Sequence, residues 1–168
     1  TVSTNETRFS SLDITLDATD VDGDNLTYII VSTTSNATTS LNGNIVTYVP
    51  TTDWNGEDSF TYKANDGTVD SNTATVTITV NAVNDAPTTG GDINASTNED
   101  TAVDITMSGT DIDGDNLTYS VVATNNGTVT IDGAIATYTP TQDWNGTDTF
   151  TYKANDGTVD SNTSTVTI

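Results

Sequence analysis

The chain has no cysteine and no histidine. Disulfides, zinc sites and histidine-based catalysis are thereby excluded. Basic residues are scarce: 3 Lys and Arg stand against 24 Asp and Glu, a formal net charge of -21. Such a surface has no basic footprint for nucleic acid or for an anionic membrane face. No apolar run approaches the ~20 residues that a membrane-spanning helix needs, so membrane insertion is not expected. No signal-peptide pattern is present and the pattern is cut at both ends, so the sequence reads as an internal piece of a longer protein. Only 33% of residues are hydrophobic, which alone would suggest disorder. Helical periodicity is absent throughout.

What is present is an acidic loop, twice. Asp20-Val-Asp-Gly-Asp-Asn-Leu-Thr-Tyr28 returns as Asp111-Ile-Asp-Gly-Asp-Asn-Leu-Thr-Tyr119, 91 residues later. Trp54-Asn-Gly56 returns as Trp144-Asn-Gly146 at an offset of 90, and Thr61–Thr73 is identical to Thr151–Thr163. Such self-similarity marks a tandem duplication, with modules of the size of one small domain. The boundaries are placed at 1–83 for the first module, 84–87 for a linker and 88–168 for the second. The drop in offset from 91 to 90 means one extra residue between Tyr28 and Trp54. Asn5-Glu6 and Asn98-Glu99 lie 93 apart, so the first module also carries two more residues before Asp13. Both differences are expected in loops, which tolerate them.

Strict alternation of apolar and polar residues overrides the hint of disorder. Leu12, Ile14 and Leu16 predict a half-buried strand, as do Leu26–Val31, Ile45–Val49, Phe60–Ala64 and Val76–Val80. Asn42-Gly43 and Asp132-Gly133 are hairpin signals. Val2 to Arg8 and the Thr/Ser/Asn-rich stretch Ser32–Ser40 read as polar connections. Thr88–Ser96 is expected to add an edge strand. Short strands at regular spacing predict an all-β fold of two tandem Greek-key β-sandwich domains.

The chemistry of the acidic loop points to a hard cation. Calcium takes about 6–8 oxygen ligands at about 2.3–2.6 Å from carboxylates and carbonyls. Side chains at i and i+2 of an extended segment point the same way, so Asp111 and Asp113 can converge on one ion. An EF-hand does not fit, because its glycine falls at loop position 6 and its glutamate at 12, whereas here Gly23 is fourth from Asp20 and the twelfth residue is Val31.

Asp-x-Asp-Gly-x-Asn leading into a strand, Ala64-Asn-Asp-Gly67 turning before a final alternating strand, and Asn84-Asp-Ala-Pro87 entering the next module occur in that order. Together these motifs resemble the cadherin repeat, in the cadherin-like form found in large bacterial tandem-repeat surface adhesins. The resemblance covers both modules nearly end to end. It implies Ig-like sandwiches strung end to end with Ca²⁺ at each junction. The matching ligands are Glu6, Asp58 (with Glu57 as alternative), Asn84, Asp85, Asp111, Asp113, Asn116 through its backbone oxygen, and Asp156. Asp20, Asp22 and Asp66 would form a half-site for a module upstream; Glu99 and Asp148 would form one for a module downstream. The sequence departs from the family in carrying Asn81 where the linker usually starts with Asp, in being one residue shorter before the proline, and in lacking an Asp-Arg-Glu triplet.

Blander readings exist for each feature. Asp and Gly are ordinary turn residues, so the loops could be solvated turns only. Trp54 and Trp144 could stack sugars, but equivalent tryptophans in two copies read as core or corner residues. Lys63 and Lys153 alternate outward, against an isopeptide bond with asparagine. Paired carboxylates could do acid–base work, yet no pocket chemistry accompanies them, and an enzyme is not expected. The expected function is that of a calcium-dependent structural or adhesion repeat of an extracellular bacterial surface protein, monomeric as a fragment and partnered by neighbouring repeats. Calcium-dependent polysaccharide binding and homophilic adhesion are the alternatives.

Overall fold

A computed structural model describes residues 1–6, 11–122, 124 and 126–168. Every regular element among them is a strand. The chain forms two compact units, Thr1–Val83 and Asn84–Ile168. Asn84–Pro87, expected as a separate linker, falls in the second unit, and Pro87 is fully buried.

The first unit contains β1 (Val2–Asn5), β2 (Leu12–Thr15), β3 (Thr27–Ser32), β4 (Ala37–Asn42), β5 (Ile45–Pro50), β6 (Gly56–Asn65) and β7 (Ala74–Asn81). Its two sheets run β1-β7-β6-β3 and β2-β5-β4. The chain crosses between sheets from β1 to β2, β2 to β3, β3 to β4 and β5 to β6, the Greek-key order of an Ig-like sandwich. The alternation then does what it should. Ile14, Leu16, Val46 and Tyr48 of one sheet meet Phe60, Ile78 and Val80 of the other in a single core. Each such side chain contributes about 1.5–3 kcal/mol by leaving water, enough in sum to offset the low apolar content.

The second unit repeats this with β8 (Thr88–Thr89), β9 (Ile93–Asn94), β10 (Val103–Thr106), β11 (Gly109–Thr110), β12 (Thr118–Val122), β13 (Gly127–Asp132), β14 (Ile135–Pro140), β15 (Thr149–Asn155) and β16 (Ser164–Thr167). Its sheets are β9-β16-β15-β12 and β10-β14-β13, with a small β8-β11 ladder. Ile105, Met107, Ala136, Tyr138, Phe150, Tyr152 and Val166 form its core. Both hairpins are present. Gly43 and Gly133 take the first central turn position with φ of 61° and 56°, the glycine placement of a type II′ turn.

Three expectations need correction. Val2–Asn5, read as a polar connection, is a strand paired in parallel with β7. Ser32–Ser40 is not all loop, because β4 starts at Ala37 and pairs with β5. The single extra residue of the first module is not in a loop either. Ile30 pairs with Tyr62 and Ser32 with Thr61, leaving Val31 as a β-bulge, whereas Val121 and Val122 pair with Tyr152 and Thr151 without interruption. A bulge adds one residue at the expense of a local kink, and Val31 accordingly lies exposed. The two-residue difference falls between Glu6 and Asp13, where residues 7–10, Arg8 among them, lie outside the described residues.

Within each unit the strand order fixes two poles. In the first, Thr27 pairs with Asn65, which places the Asp20–Asn25 loop beside the Asn65–Asp70 turn. At the other end Gly56 pairs with Val80 and Asn5 with Asn81. The second unit has the same arrangement, with Thr118 opposite Asn155.

Candidate metal centre

The acidic loop of the second unit folds around Asp111. Its Oδ1 accepts the backbone N–H of Asp113 at 2.9 Å and of Asp115 at 3.2 Å. Gly114, at φ 81°, makes the reversal between them, a backbone that L side chains adopt only under strain. The result gathers Asp111, Asp113 and Asp115, each offering one carboxylate oxygen within 4.8 Å of the others. Two ligands across one Ca²⁺ lie about 4.6–5.2 Å apart, so the span suits a single ion of that size. Each pair of charges at this separation repels by about 1 kcal/mol in water and about 3.5 kcal/mol at an effective dielectric of 20. Lys153 is the one basic side chain between residues 84 and 168, and it is paired with Asp160 at 3.5 Å.

The second carboxylate oxygen of Asp111 is buried and has no hydrogen-bond partner. A buried carboxylate oxygen left so is costly. Among the described residues no donor reaches it, and the carboxylates of Asp113 and Asp115 lie close by. A hard cation is the kind of group that would satisfy it. The all-oxygen donor set fits Ca²⁺ and excludes metals that favour nitrogen or sulfur.

The start of the unit is tied into this pole. The Asp85 N–H donates to Asp113 Oδ2 at 2.7 Å, and the Asn84 side-chain amide donates to Asp156 Oδ2 at 2.8 Å. Asp156 Oδ1 accepts from Thr158 and Val159 N–H at 2.6 and 2.7 Å. The Val159 N–H, then the Asn84 amide and the Thr158 N–H, hold the Asp156 carboxyl below the usual carboxylate range. Of the residues expected from sequence, Asn84, Asp85, Asp111, Asp113 and Asp156 are thus joined in one network, with Asn116 exposed at its end. Asp115 belongs to the cluster and was absent from that set. Its place at i+4 of the loop was the signal.

The remaining candidates lie elsewhere. Asp20 Oδ1 accepts from Asp22 and Asp24 N–H at 2.9 and 3.1 Å, the same loop as its copy. Asp66 accepts from Thr68 and Val69 N–H and shares a cleft with Asp20. Among the described residues, Asp20, Asp22 and Asp24 do not draw together as their counterparts do. Glu6 is buried at the other pole of the first unit. Its carboxylate accepts from Val83 N–H at 2.8 Å and from the Asn55 amide at 3.3 Å. Glu99 is exposed.

Asp58 and Asp148 are buried carboxylates surrounded by protein donors. Asp58 is 6% exposed and accepts from Ser35 N, Asn36 N, Tyr48 Oη and Ser59 N at 3.3, 3.2, 3.3 and 2.8 Å. Asp148 accepts from Asn126 N, Tyr138 Oη and Thr149 N at 3.0, 3.1 and 2.9 Å. Their lone pairs face protein donors instead of an open ligand position. Burial, with the adjoining carboxylate, pushes the Tyr48 and Tyr138 phenols up to about 12. Glu57, the alternative to Asp58, is exposed on β6.

Among the solved structures similar to this chain, two cadherin ectodomain fragments share its architecture. Mouse Cadherin-23 EC22-24 is 20% identical, covering 84% of this chain and 51% of that chain, with a TM-score of 0.56. Human Protocadherin-24 EC1-2 is 14% identical, covering 99% and 91%, with a TM-score of 0.56. An endo-fucoidan hydrolase from glycoside hydrolase family 107 is 23% identical with a TM-score of 0.42, and this chain spans 27% of its length. Likeness at these identities is a likeness of fold. No curated protein matches. The model of the bacterial Ig domain matches residues 1–79 and again 84–168. The chain therefore belongs to the bacterial Ig domain family, as two tandem cadherin-like copies.

Proposed function

We propose that this chain is a calcium-binding structural repeat of an extracellular bacterial surface protein, and that the ion locks the segment entering a repeat onto that repeat's acidic pole. The observation that carries the reading is the buried, partnerless carboxylate oxygen of Asp111, set among Asp113 and Asp115. Asp111, Asp113, Asp115 and Asp156 supply charge; Asn84, Asp85 and Asn116 supply further oxygens. Calcium neutralises a cluster that otherwise repels itself, so binding and stability are linked. Glu6 already holds the backbone of Val83, and we assign it first to that clamp. Stiffening between repeats is the mechanical role, suited to a stalk that projects a distal binding domain. Ig-like and cadherin-like folds carry out such structural and adhesive tasks without catalysis, and neighbouring repeats are the expected partners.

Calcium titration calorimetry on the chain tests this. A calcium-selective isotherm that is lost in Asp113→Asn supports the reading. Equal heats for magnesium, or binding that Asp113→Asn leaves unchanged, would overturn it. A pulldown on insoluble polysaccharide with and without calcium separates a spacer, which stays in the supernatant, from a carbohydrate-binding module.

A further inference from the structure

We infer that the outer edge of β4 in the first unit is a docking surface for a second copy of this chain, which adds its own β4 antiparallel about a two-fold axis through Thr39. β4 is the outer strand of the sheet β2-β5-β4. On its inner side the Thr51 N–H donates to Asn36 O at 2.8 Å, and hydrogen-bonded pairs alternate along an antiparallel ladder. The bonds to β5 therefore fall at Thr38, Ser40 and Asn42, opposite Val49, Thr47 and Ile45. Ala37, Thr39 and Leu41 turn their N–H and C=O groups outward. Among the described residues, one of these six groups has a partner: Ala37 O accepts the Thr34 hydroxyl at 3.2 Å.

A strand edge of this kind invites pairing unless it is short, charged or bulged. The other edge strands of the unit are guarded in those ways. β1 and β2 have four residues each, and β2 bears Asp13. β3 is interrupted by the bulge at Val31. β4 has six residues, no charge, no proline and an unbroken register. Charge selects the same flank. The chain carries -21, yet residues 25–52 contain no charged side chain. β3, β4 and β5 all come from that stretch, and the acids of the unit lie on β2, on β6 and in the loops. An uncharged cleft lined by Leu26, Tyr28 and Leu41 adjoins the edge.

Two molecules of one strongly negative chain approach best where neither carries a charge, and a two-fold contact needs a patch that complements itself. Centred on Thr39, the pairing sets Ala37 opposite Leu41 of the second copy and Thr38 opposite Ser40. Main-chain hydrogen bonds then supply the affinity, and on the exposed side hydroxyl faces hydroxyl. The counterpart in the second unit, β13, opens on Gly127 and ends on Asp132. A glycine weakens a strand and an acid guards an edge, so β13 is the internal control. One six-residue pairing is weak, and many copies held on one surface raise its effective concentration. The contact does not rest on the calcium reading.

The test is sedimentation equilibrium of the chain in chelator, up to millimolar concentration, from low salt to about 1 M, where the screening length falls to about 3 Å. The expected result is a monomer at low salt that becomes a dimer as salt and concentration rise. Thr38→Asp with Ser40→Asp sets like charges directly opposite each other and should weaken the dimer about tenfold or more. Thr128→Asp with Thr130→Asp on β13 should leave it intact. All four positions are exposed, and melts verify that the variants fold. Because the chain has no cysteine, Thr38→Cys with Ser40→Cys should trap a disulfide-linked dimer under mild oxidation, and Thr128→Cys with Thr130→Cys should not. A chain that stays monomeric throughout, or a dimer that the β4 aspartates leave intact or the β13 aspartates equally abolish, would overturn the proposal.

Discussion

Replacing Asp58 by alanine tests the division between structural and metal-binding carboxylates. The substitution removes the acceptor for Ser35 N–H, Asn36 N–H, Ser59 N–H and the Tyr48 hydroxyl, the last on a fully buried ring. Hydrogen bonds to a charged acceptor are worth about 1.5–3 kcal/mol each when well made. Three of them are long, at 3.2–3.3 Å, the fourth comes from the adjacent Ser59 N–H, and removing a buried charge returns part of the loss. The net cost is about 3 kcal/mol, or roughly 15 °C in the melting of a unit of this size. Tyr48→Phe removes one donor and leaves the rest, at about 1 kcal/mol. The double mutant should fall short of the sum by about 1 kcal/mol, since the phenol is already orphaned in Asp58→Ala. Calorimetry in chelator reads all three, with the second unit as internal control. The reasoning fails if Asp58→Ala melts like the parent in chelator and instead weakens calcium binding.

Further outcomes follow from the same geometry. Asp115→Asn should stabilise the chain by up to about 1 kcal/mol in chelator at low salt, by relieving repulsion, and destabilise it in calcium; paired melts check the crossing. Gly114→Ala places a side chain at φ 81° with open space around it, so its cost is backbone strain of on the order of 1 kcal/mol, and calcium affinity should drop with it. Gly127→Ala drives a Cβ to 2.5 Å from the Tyr138 ring and 2.7 Å from Thr139 O, an overpacking cost of about 1–3 kcal/mol measurable by denaturant titration. The Tyr48 and Tyr138 phenols have folded pKa values of about 12, raised from 10.0. Their contribution is therefore intact below pH 10 and lost as pH rises through about 12. The part of stability these two phenols supply should be level from neutral pH to 10 and then fall, with late phenolate absorbance from these two rings.

The periodicity of the strands and the duplication were legible because both rest on residue spacing. Leu12, Ile14 and Leu16, or Phe60, Tyr62 and Ala64, can bury one face only as strands. β4 escaped because it is an edge strand whose inward residues, Ala37, Thr39 and Leu41, include small and polar ones. β1 escaped because its pairing is parallel to a strand over 70 residues away, which leaves no local mark. The bulge at Val31 was visible as an extra residue but not as a position, since Ser32–Ser40 looked the softer place for it. The acids of this acidic pole were legible in part: the Asp111-x-Asp113 spacing pointed to convergence, while Asp115 gathers only once Gly114 has turned the backbone. The donors gathered around Asp58 and Asp148 were not legible, for a physical reason. A carboxylate at a strand start looks available until Tyr48 or Tyr138, ten residues earlier, is seen to point its hydroxyl at it.

The most direct measurement is a thermal melt of the chain across a calcium titration, with chelator as the zero point and magnesium as the control. Calcium at 100 times its dissociation constant adds about 2.7 kcal/mol, a rise of on the order of 10 °C for a unit of this size. The account predicts that rise for calcium, a much smaller one for magnesium, and its loss in Asp113→Asn. A melting temperature indifferent to calcium would contradict it and leave the Asp111 loop a solvated turn.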